Sequence, residues 1–577
     1  MRDTPTPAPT IAYLSMEIGL DPALPTYSGG LGVLAGDSLR AAADLALPVV
    51  AITLVHRKGY FRQQLDAQGR QTEIPDSWSP EDTAMVEEMP QRVSVEIEGR
   101  TVHLRAWRYL VRGNAGNDRA VPVAAYLLDT DLPENADEDR ALTNELYGGD
   151  SRYRLSQETL LGIGGIELLR TLGHDRIHTY HMNEGHSGLL VLPLLEQRLE
   201  EDGRPDLLPG DVDAVRRKCV FTVHTPVPAG HDVFEESLVE QILGGRRLQL
   251  LKSGPGFEDG SFDLTAFVIG FARWANGVSM RHGQISRDMF PGHDVGAITN
   301  GVHAGTWVAD PMAELFDRYM PGWRRDTRFL RYATGVPASE LREAHAKAKA
   351  DLFAEVQKRT GVGFDPDVLT IGFARRATGY KRGDLLFSDL GRLRRMVAAV
   401  GPLQVIYSGK AHPRDDSGKQ IIQQVFAAAK ELEDAIRVTY LEDYGMGIAR
   451  YLCAGVDIWL NNPQKPLEAS GTSGMKAAMN GVPSLSVLDG WWVEGCIEGV
   501  TGWAIGDENP ADEDAEIASL YDKLEYAIMP MYYRQPDEFA KVMRSAVALN
   551  GDFFSAQRMM SQYYRSVYRF APDVVLD

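Results

Sequence analysis

The chain has 577 residues, a net charge of −20, 44% apolar and 24% charged residues; it is too long for one ordinary core, so two domains are the first expectation. The acidic balance excludes a general nucleic-acid or anionic-membrane surface, though not a local basic pocket. Three cysteines without metal-ligand spacing point to a reducing cytoplasm, and no apolar run approaches the roughly 18 residues of a membrane span.

The first ten residues lack an apolar signal core and read as a tail. Ile11 to Met16 reads as a strand leading into Ser28-Gly29-Gly30-Leu31-Gly32, a glycine loop that opens a helix over Leu31–Leu45. Val49 to Val55 is a near-continuous apolar strand. Alternation over Val93–Ile97, Val102–Ala106 and Val121–Leu128 predicts antiparallel strands embellishing the first domain. The acidic stretch Asp129–Asp139 is expected to be a solvated loop, and Ser156–Leu172 a helix. Strands at Ile177–Met182, Cys219–Val223 and Ala297–Thr299 each run into polar residues: Asn183 to His186, His224-Thr225, and Asn300-Gly301. Polar residues just past the carboxyl ends of apolar strands mark ligand sites in open parallel sheets.

A second βα series follows residue 305. Ser339 is expected to cap a helix through Lys358. Strands at Val368–Phe373, Leu403–Ser408, Ile436–Leu441 and Val456–Leu460 come next, then helices from Asp512 onward. Arg375, Arg376, Lys381 and Arg382 follow the first of these strands directly. A solvated basic loop is the plain alternative, but that position favours an anion pocket. Past the last strand, Glu468-Ala469-Ser470-Gly471-Thr472-Ser473-Gly474 leads into a helix whose first turn carries Lys476, where a cation is unfavourable unless an anion or a covalent bond occupies it. His181, Glu184 and His186 lack metal-site spacing and read as hydrogen-bonding residues; no metal is expected. Trp491 and Trp492 read as core or an interface plug. Pattern alone thus predicts an α/β protein: two doubly wound domains facing across a cleft, with a phosphate-type pocket.

The segment Glu468 to Lys476, with Asn480-Gly481, resembles the pyridoxal-phosphate-binding segment of the α-glucan (glycogen, starch, maltodextrin) phosphorylases. Ser28 to Gly32, Asn183 to His186, His224-Thr225, Thr299 to Gly301, Arg375-Arg376, Tyr380 to Arg382 and Gly409-Lys410 match family segments in the same order. The resemblance covers residues 11 to 570 and is to a short prokaryotic type. It implies the GT-B architecture, two Rossmann-like domains over 1–305 and 306–577, with the terminal helices packing back on the first. It implies phosphorolysis of an α-1,4-glucan or maltodextrin with orthophosphate, giving α-D-glucose 1-phosphate with retention. It further implies a Schiff base between Lys476 and pyridoxal 5'-phosphate, whose phosphate is the acid–base group. Thr472, Ser473 and Arg375 would hold that phosphate. Arg376, Lys381 and Gly30 would hold orthophosphate, and Glu468, Ser470, Gly471, Asn300, His224 and Tyr380 the glucosyl unit. A cytoplasmic homodimer is the family expectation.

The chain departs from the longer enzymes at Arg375 (lysine there), Ser473 (glycine) and Gly474 (asparagine). Tyr147-Gly148-Gly149-Asp150 stands where their gate loop carries an asparagine. Their long N-terminal extension has no counterpart, so control through it is not expected. A nucleotide-sugar glucan synthase on the same fold is one alternative, but the lysine of its Lys-x-Gly-Gly-Leu motif is missing and Lys476 would have no role. A glucan-binding protein without activity is the other, and the intact Lys476, Arg376 and Lys381 argue against it.

Overall fold

The apolar runs become the strands of two mainly parallel sheets. A computed structural model describes residues 10–226, 231–509 and 511–569. Nine strands form the first sheet: β1 (Ile11–Ser15), β2 (Val49–Leu54), β3 (Glu87–Ile97), β4 (Arg100–Val111), β5 (Val123–Asp129), β6 (Thr179–Asn183), β7 (Cys219–Thr222), β8 (Trp274–Gly277) and β9 (Val295–Ala297). Their spatial order is β9-β8-β7-β6-β1-β2-β5-β4-β3. Every pairing from β9 to β5 is parallel, and only β4 and β3 run antiparallel at the edge. The predicted embellishment is therefore the continuation of the main sheet: β5 joins β2 in parallel register, Val50 opposite Ala124.

Six strands form the second sheet, all parallel: β10 (Leu369–Ala374), β11 (Leu403–Ser408), β12 (Arg437–Leu441), β13 (Ile458–Asn461), β14 (Ser484–Val487) and β15 (Gly502–Ile505), in the order β12-β11-β10-β13-β14-β15. Strands β10, β11, β13 and β14 are buried throughout, as helices on both faces require. The fold is thus a mixed α/β structure built on two large parallel sheets.

Two local expectations fail. Asp129 is fully buried: Arg57 (2.6 Å), Arg105 (2.8 Å) and the Trp107 indole (3.0 Å) surround its carboxylate and hold it down at about 2. Asp139 is likewise buried against Arg100 at 2.8 Å. The two ends of the stretch answer distant arginines, while Glu134, Asp137 and Glu138 between them are exposed as expected. The long helix is Ala338–Thr360 and its N-cap is Pro337, so Ser339 lies inside it and caps nothing.

Two lacings join the two sheets, and a third contact holds the chain where it passes from one to the other. The hairpin Arg62–Leu65/Gln71–Ile74 reaches over the second sheet. There the Gln63 amide donates to Gly409 O (2.8 Å) and accepts the Asp443 N–H (2.9 Å), and Gln71 pairs both ways with the Ala411 backbone. The segment Ala304–Trp307 is held by Asn480, whose amide bonds Trp307 O and the Ala309 N–H, both at 2.8 Å. The terminal helix Ala556–Tyr563 packs Met559, Met560 and Tyr563 in one cluster with Leu34 and Leu39 of the helix Gly30–Asp44.

Candidate active site

Strand β13 delivers the chain into the small-residue loop, which a neighbouring turn pins in place. The Glu468 N–H bonds the Asp489 carboxylate (2.9 Å), and Ser470 O accepts the Trp491 N–H (2.9 Å). Burial pushes the Asp489 carboxyl up to about 6, with the Glu468 charge adding to it. Gly471 turns the chain at φ +73°, a conformation that favours glycine. The helix Ser473–Met479 follows, with Thr472 as an N-cap that makes no side-chain capping bond. A Cβ on Gly474 would lie 2.7 Å from the Trp491 ring. That is why glycine stands here, and Trp491 acts as core. The Ser473 hydroxyl accepts the Trp459 indole N–H at 3.0 Å, which leaves its own O–H, beside the loop's backbone N–H groups, free to donate.

Lys476 lies at the middle of this seven-residue helix rather than in an isolated first turn, so its conflict with the helix dipole is small. The difficulty is burial. Its ammonium is 4.1 Å from the centre of the Trp307 ring, and desolvation lowers its pKa, with Asp37 and Cys453 opposing. Trp307 is fixed by a 2.7 Å bond from its indole to Asp37.

Strand β10 ends at Ala374 and presents the basic residues. Arg375 and Lys381 (2.6 Å) both bond one oxygen of the buried Glu468. Although burial alone would raise it, these two cations hold the Glu468 carboxyl down at about 2. Arg375 Nη1 is buried and makes no hydrogen bond. Lys381 also lies over the Tyr380 ring at 4.4 Å. Arg376 is exposed, and its guanidinium sits 3.3 Å from where a Cβ on Gly29 would be. Gly29 is the N-cap of the helix Gly30–Asp44, which has no side-chain cap, and the space beside Gly30 is open. The basic cluster and the glycine loop thus meet across the sheets. Arg382 does not belong to this group. Its left-handed backbone (φ +47°) turns it away, and it bonds Asn462 O, Pro463 O and Glu516 instead.

On the remaining wall, His224 Nε2 lies 2.7 Å from Asn183 Oδ1, and its backbone N–H bonds Glu184 at 2.8 Å. Burial and neighbouring histidines depress the imidazole to about 3, so it is neutral at physiological pH. Asn300 is buried, with its carbonyl held by Arg558 at 3.0 Å. The Ser470 hydroxyl faces Gly471 O at 3.3 Å.

Sequence reasoning missed several members. Glu17 follows β1 by two residues, and its carboxylate takes the Ser28 N–H (2.6 Å), the Gly29 N–H (3.2 Å) and the Tyr147 hydroxyl (3.0 Å). The strand-end rule that flagged His224 could have found it. Trp307 and Asp489 carry no local signal. His181 is a structural residue between Tyr568 (2.6 Å) and Thr222 (2.8 Å). His186, Glu158 and Asp232 bring ligand atoms within 4.8 Å of one another, a grouping the spacing does not reveal, but Arg154 already occupies Asp232 at 2.6 Å.

The family model for carbohydrate phosphorylases matches residues 15–138 and 275–511. A maltodextrin phosphorylase of Thermococcus litoralis is 39% identical over 97% of this chain and 70% of its own length. Glycogen phosphorylases of Mycobacterium tuberculosis and Aquifex aeolicus are 37% and 34% identical over 97% of this chain, and over 70% and 86% of theirs.

Proposed function

The chain belongs to the carbohydrate phosphorylase family, and from that premise we propose that it cleaves α-1,4-glucan or maltodextrin at the non-reducing end with orthophosphate, releasing α-D-glucose 1-phosphate with retention. The observation that carries the reading is a buried lysine, Lys476, on a helix that follows the loop whose Glu468 bonds Arg375, an arginine with an unused buried nitrogen. These residues fit pyridoxal 5'-phosphate. Lys476 would hold it through its amine, which burial makes easier to deprotonate. Arg375 and the backbone at Thr472 and Ser473 would take its phosphate. When bound, that group supplies a phosphate monoester whose second ionisation near pH 6 can give and take a proton.

The chain's own residues do the rest in this proposal. Arg376, which faces Gly29, and Lys381 hold orthophosphate beside the uncapped helix at Gly30 and offset the repulsion between two adjacent anions. They steady the orthophosphate as its proton passes to the leaving glycosidic oxygen. The same phosphate then bonds the sugar on the face just vacated. His224, neutral at working pH, can only hydrogen-bond the glucosyl unit and does not act as an acid. Glu468, Ser470, Gly471, Asn300 and Tyr380 orient its hydroxyl groups. The two sheets are taken as the cores of GT-B domains over 1–305 and 306–577. The enzyme is taken as a cytoplasmic homodimer, in keeping with its family and its three free cysteines.

The test is direct. The purified protein should absorb in the near-ultraviolet, borohydride should fix the chromophore on Lys476, and maltodextrin with orthophosphate should yield glucose 1-phosphate. A colourless protein that reconstitution cannot load, and that releases none, overturns the proposal. Turnover of a nucleotide sugar would instead support a glucan synthase.

A further inference from the structure

A second concave site lies behind the glycine loop. It is a cavity of about 480 Å³ walled by both halves of the chain: Arg40, Arg108 and Arg112 line it from one side and Arg450 from the other. Four arginines there face two carboxylates, Asp21 and Glu87. Glu87 is taken up by Arg108 at 2.5 Å, and Asp21 accepts the Ala23 N–H at 2.9 Å. Arg40 spends Nη2 on Gly19 O and Leu20 O, and its buried Nη1 makes no hydrogen bond but lies 3.7 Å from the Asp37 carboxylate. Arg450 uses Nε on Thr306 O at 2.8 Å. Arg112 and Arg450 are exposed, and neither is paired with a carboxylate among the described residues.

Two guanidinium groups without a carboxylate partner among the described residues, Arg112 and Arg450, face a concave junction in a chain with net charge −20. Such a concavity gathers anions from solution. The planar donor fork of arginine matches phosphate oxygens better than any other side chain. Met85 and Tyr109 add apolar surface to the lining, and the volume is that of a small-molecule site. We propose that this cavity binds a small phosphorylated metabolite. Its phosphate lies between Arg112 and Arg450 and its organic body lies against Met85 and Tyr109. The site is separate from the cleft but not isolated from it. Leu20 and Asp21 line the cavity and continue from Glu17, which holds the glycine loop. Because Arg450 and Met446 come from the second half, an occupant ties the halves together.

Inorganic pyrophosphate, titrated calorimetrically into the whole protein, has no sugar for the glucan subsite to hold, and Arg376→Ala separates any share taken by the orthophosphate site of the cleft. Wild type should bind it and melt at a higher temperature in its presence. Arg112→Gln with Arg450→Gln should weaken binding by at least about tenfold, the loss of charge-assisted contacts from two arginines. Arg376→Ala, altered in the cleft, should keep the binding that the double variant loses. Should the double variant melt lower without ligand, Arg112→Gln alone carries the test, since that exposed side chain has no ion-pair partner. Absence of binding in wild type, or binding lost in Arg376→Ala and kept in the double variant, overturns the proposal.

Discussion

At the scale of single residues, the cleft stores its charge in two different ways. Glu468 is a buried carboxylate serving Arg375 and Lys381 at once. Glu468→Gln leaves two buried cations facing an uncharged amide, which costs about 3–5 kcal/mol. The melting temperature should fall, and orthophosphate should restore more of it in the variant than in wild type, because the anion replaces the lost charge. Equal shifts would mean that orthophosphate does not reach these cations. The same carboxylate has a pH signature. Its folded value, about 2, lies below the unfolded 4.5, so its contribution is complete above pH 4.5 and disappears as the pH falls toward 2. The amount is on the order of 3 kcal/mol, and the acid limb of a melting-temperature profile should be shallower in Glu468→Gln. Arg376 behaves oppositely. It is exposed beside Gly29, so Arg376→Ala should leave stability within about 0.5 kcal/mol. The same change should lower kcat/KM for orthophosphate by about 10²–10³-fold, as the loss of a group that faces transition-state charge does. Steady-state kinetics beside a melting curve separates the two effects.

At the scale of elements, the parallel strands were the most legible part of the chain. Strands buried on both faces read as apolar runs, and β11 begins and ends where its sequence says. Residues placed just past strand ends were legible for the same reason, which is how His224, Arg375 and Asn300 came into view. What failed was whatever depends on distant partners. Asp129 looked solvated because Arg57 lies 72 residues away. Arg382 looked like its neighbours because nothing in a basic run announces a left-handed turn. The family departure at Gly474 is likewise unreadable without Trp491, which fills the space of any side chain there. Gly474→Asn should overpack that contact, costing about 1–3 kcal/mol and displacing the helix that carries Lys476. The variant should retain less chromophore after dialysis than wild type. Equal retention would show that the helix shifts without moving the lysine.

At the scale of the whole molecule, the question is whether two sheets of separate sequence melt together. Proteins with several cores often do not. Here the hairpin and the terminal segment cross between the halves, and both make buried polar contacts. Gln63, itself buried, joins Gly409 O and the Asp443 N–H. The terminal segment returns to the first sheet through Tyr563, which meets Thr222 (3.0 Å) and Asn276 (2.9 Å), and through Tyr568, which meets His181 at 2.6 Å. Removing one partner of a buried bond leaves the other unsatisfied, at about 1–3 kcal/mol each. Gln63→Ala leaves the Asp443 N–H without its partner, while Gly409 O keeps the Tyr440 hydroxyl, and Tyr563→Phe with Tyr568→Phe removes one bond each from Thr222, Asn276 and His181, leaving His181 Nδ1 unpaired. Wild type should therefore give a single calorimetric transition. Gln63→Ala should loosen the second sheet from the hairpin, and the tyrosine pair should loosen the first sheet from the terminal helix. All three substitutions together should split the transition in two. Two transitions already present in wild type would mean that the lacings are too weak to couple the halves, and that the two faces of the cleft are held together by whatever binds between them.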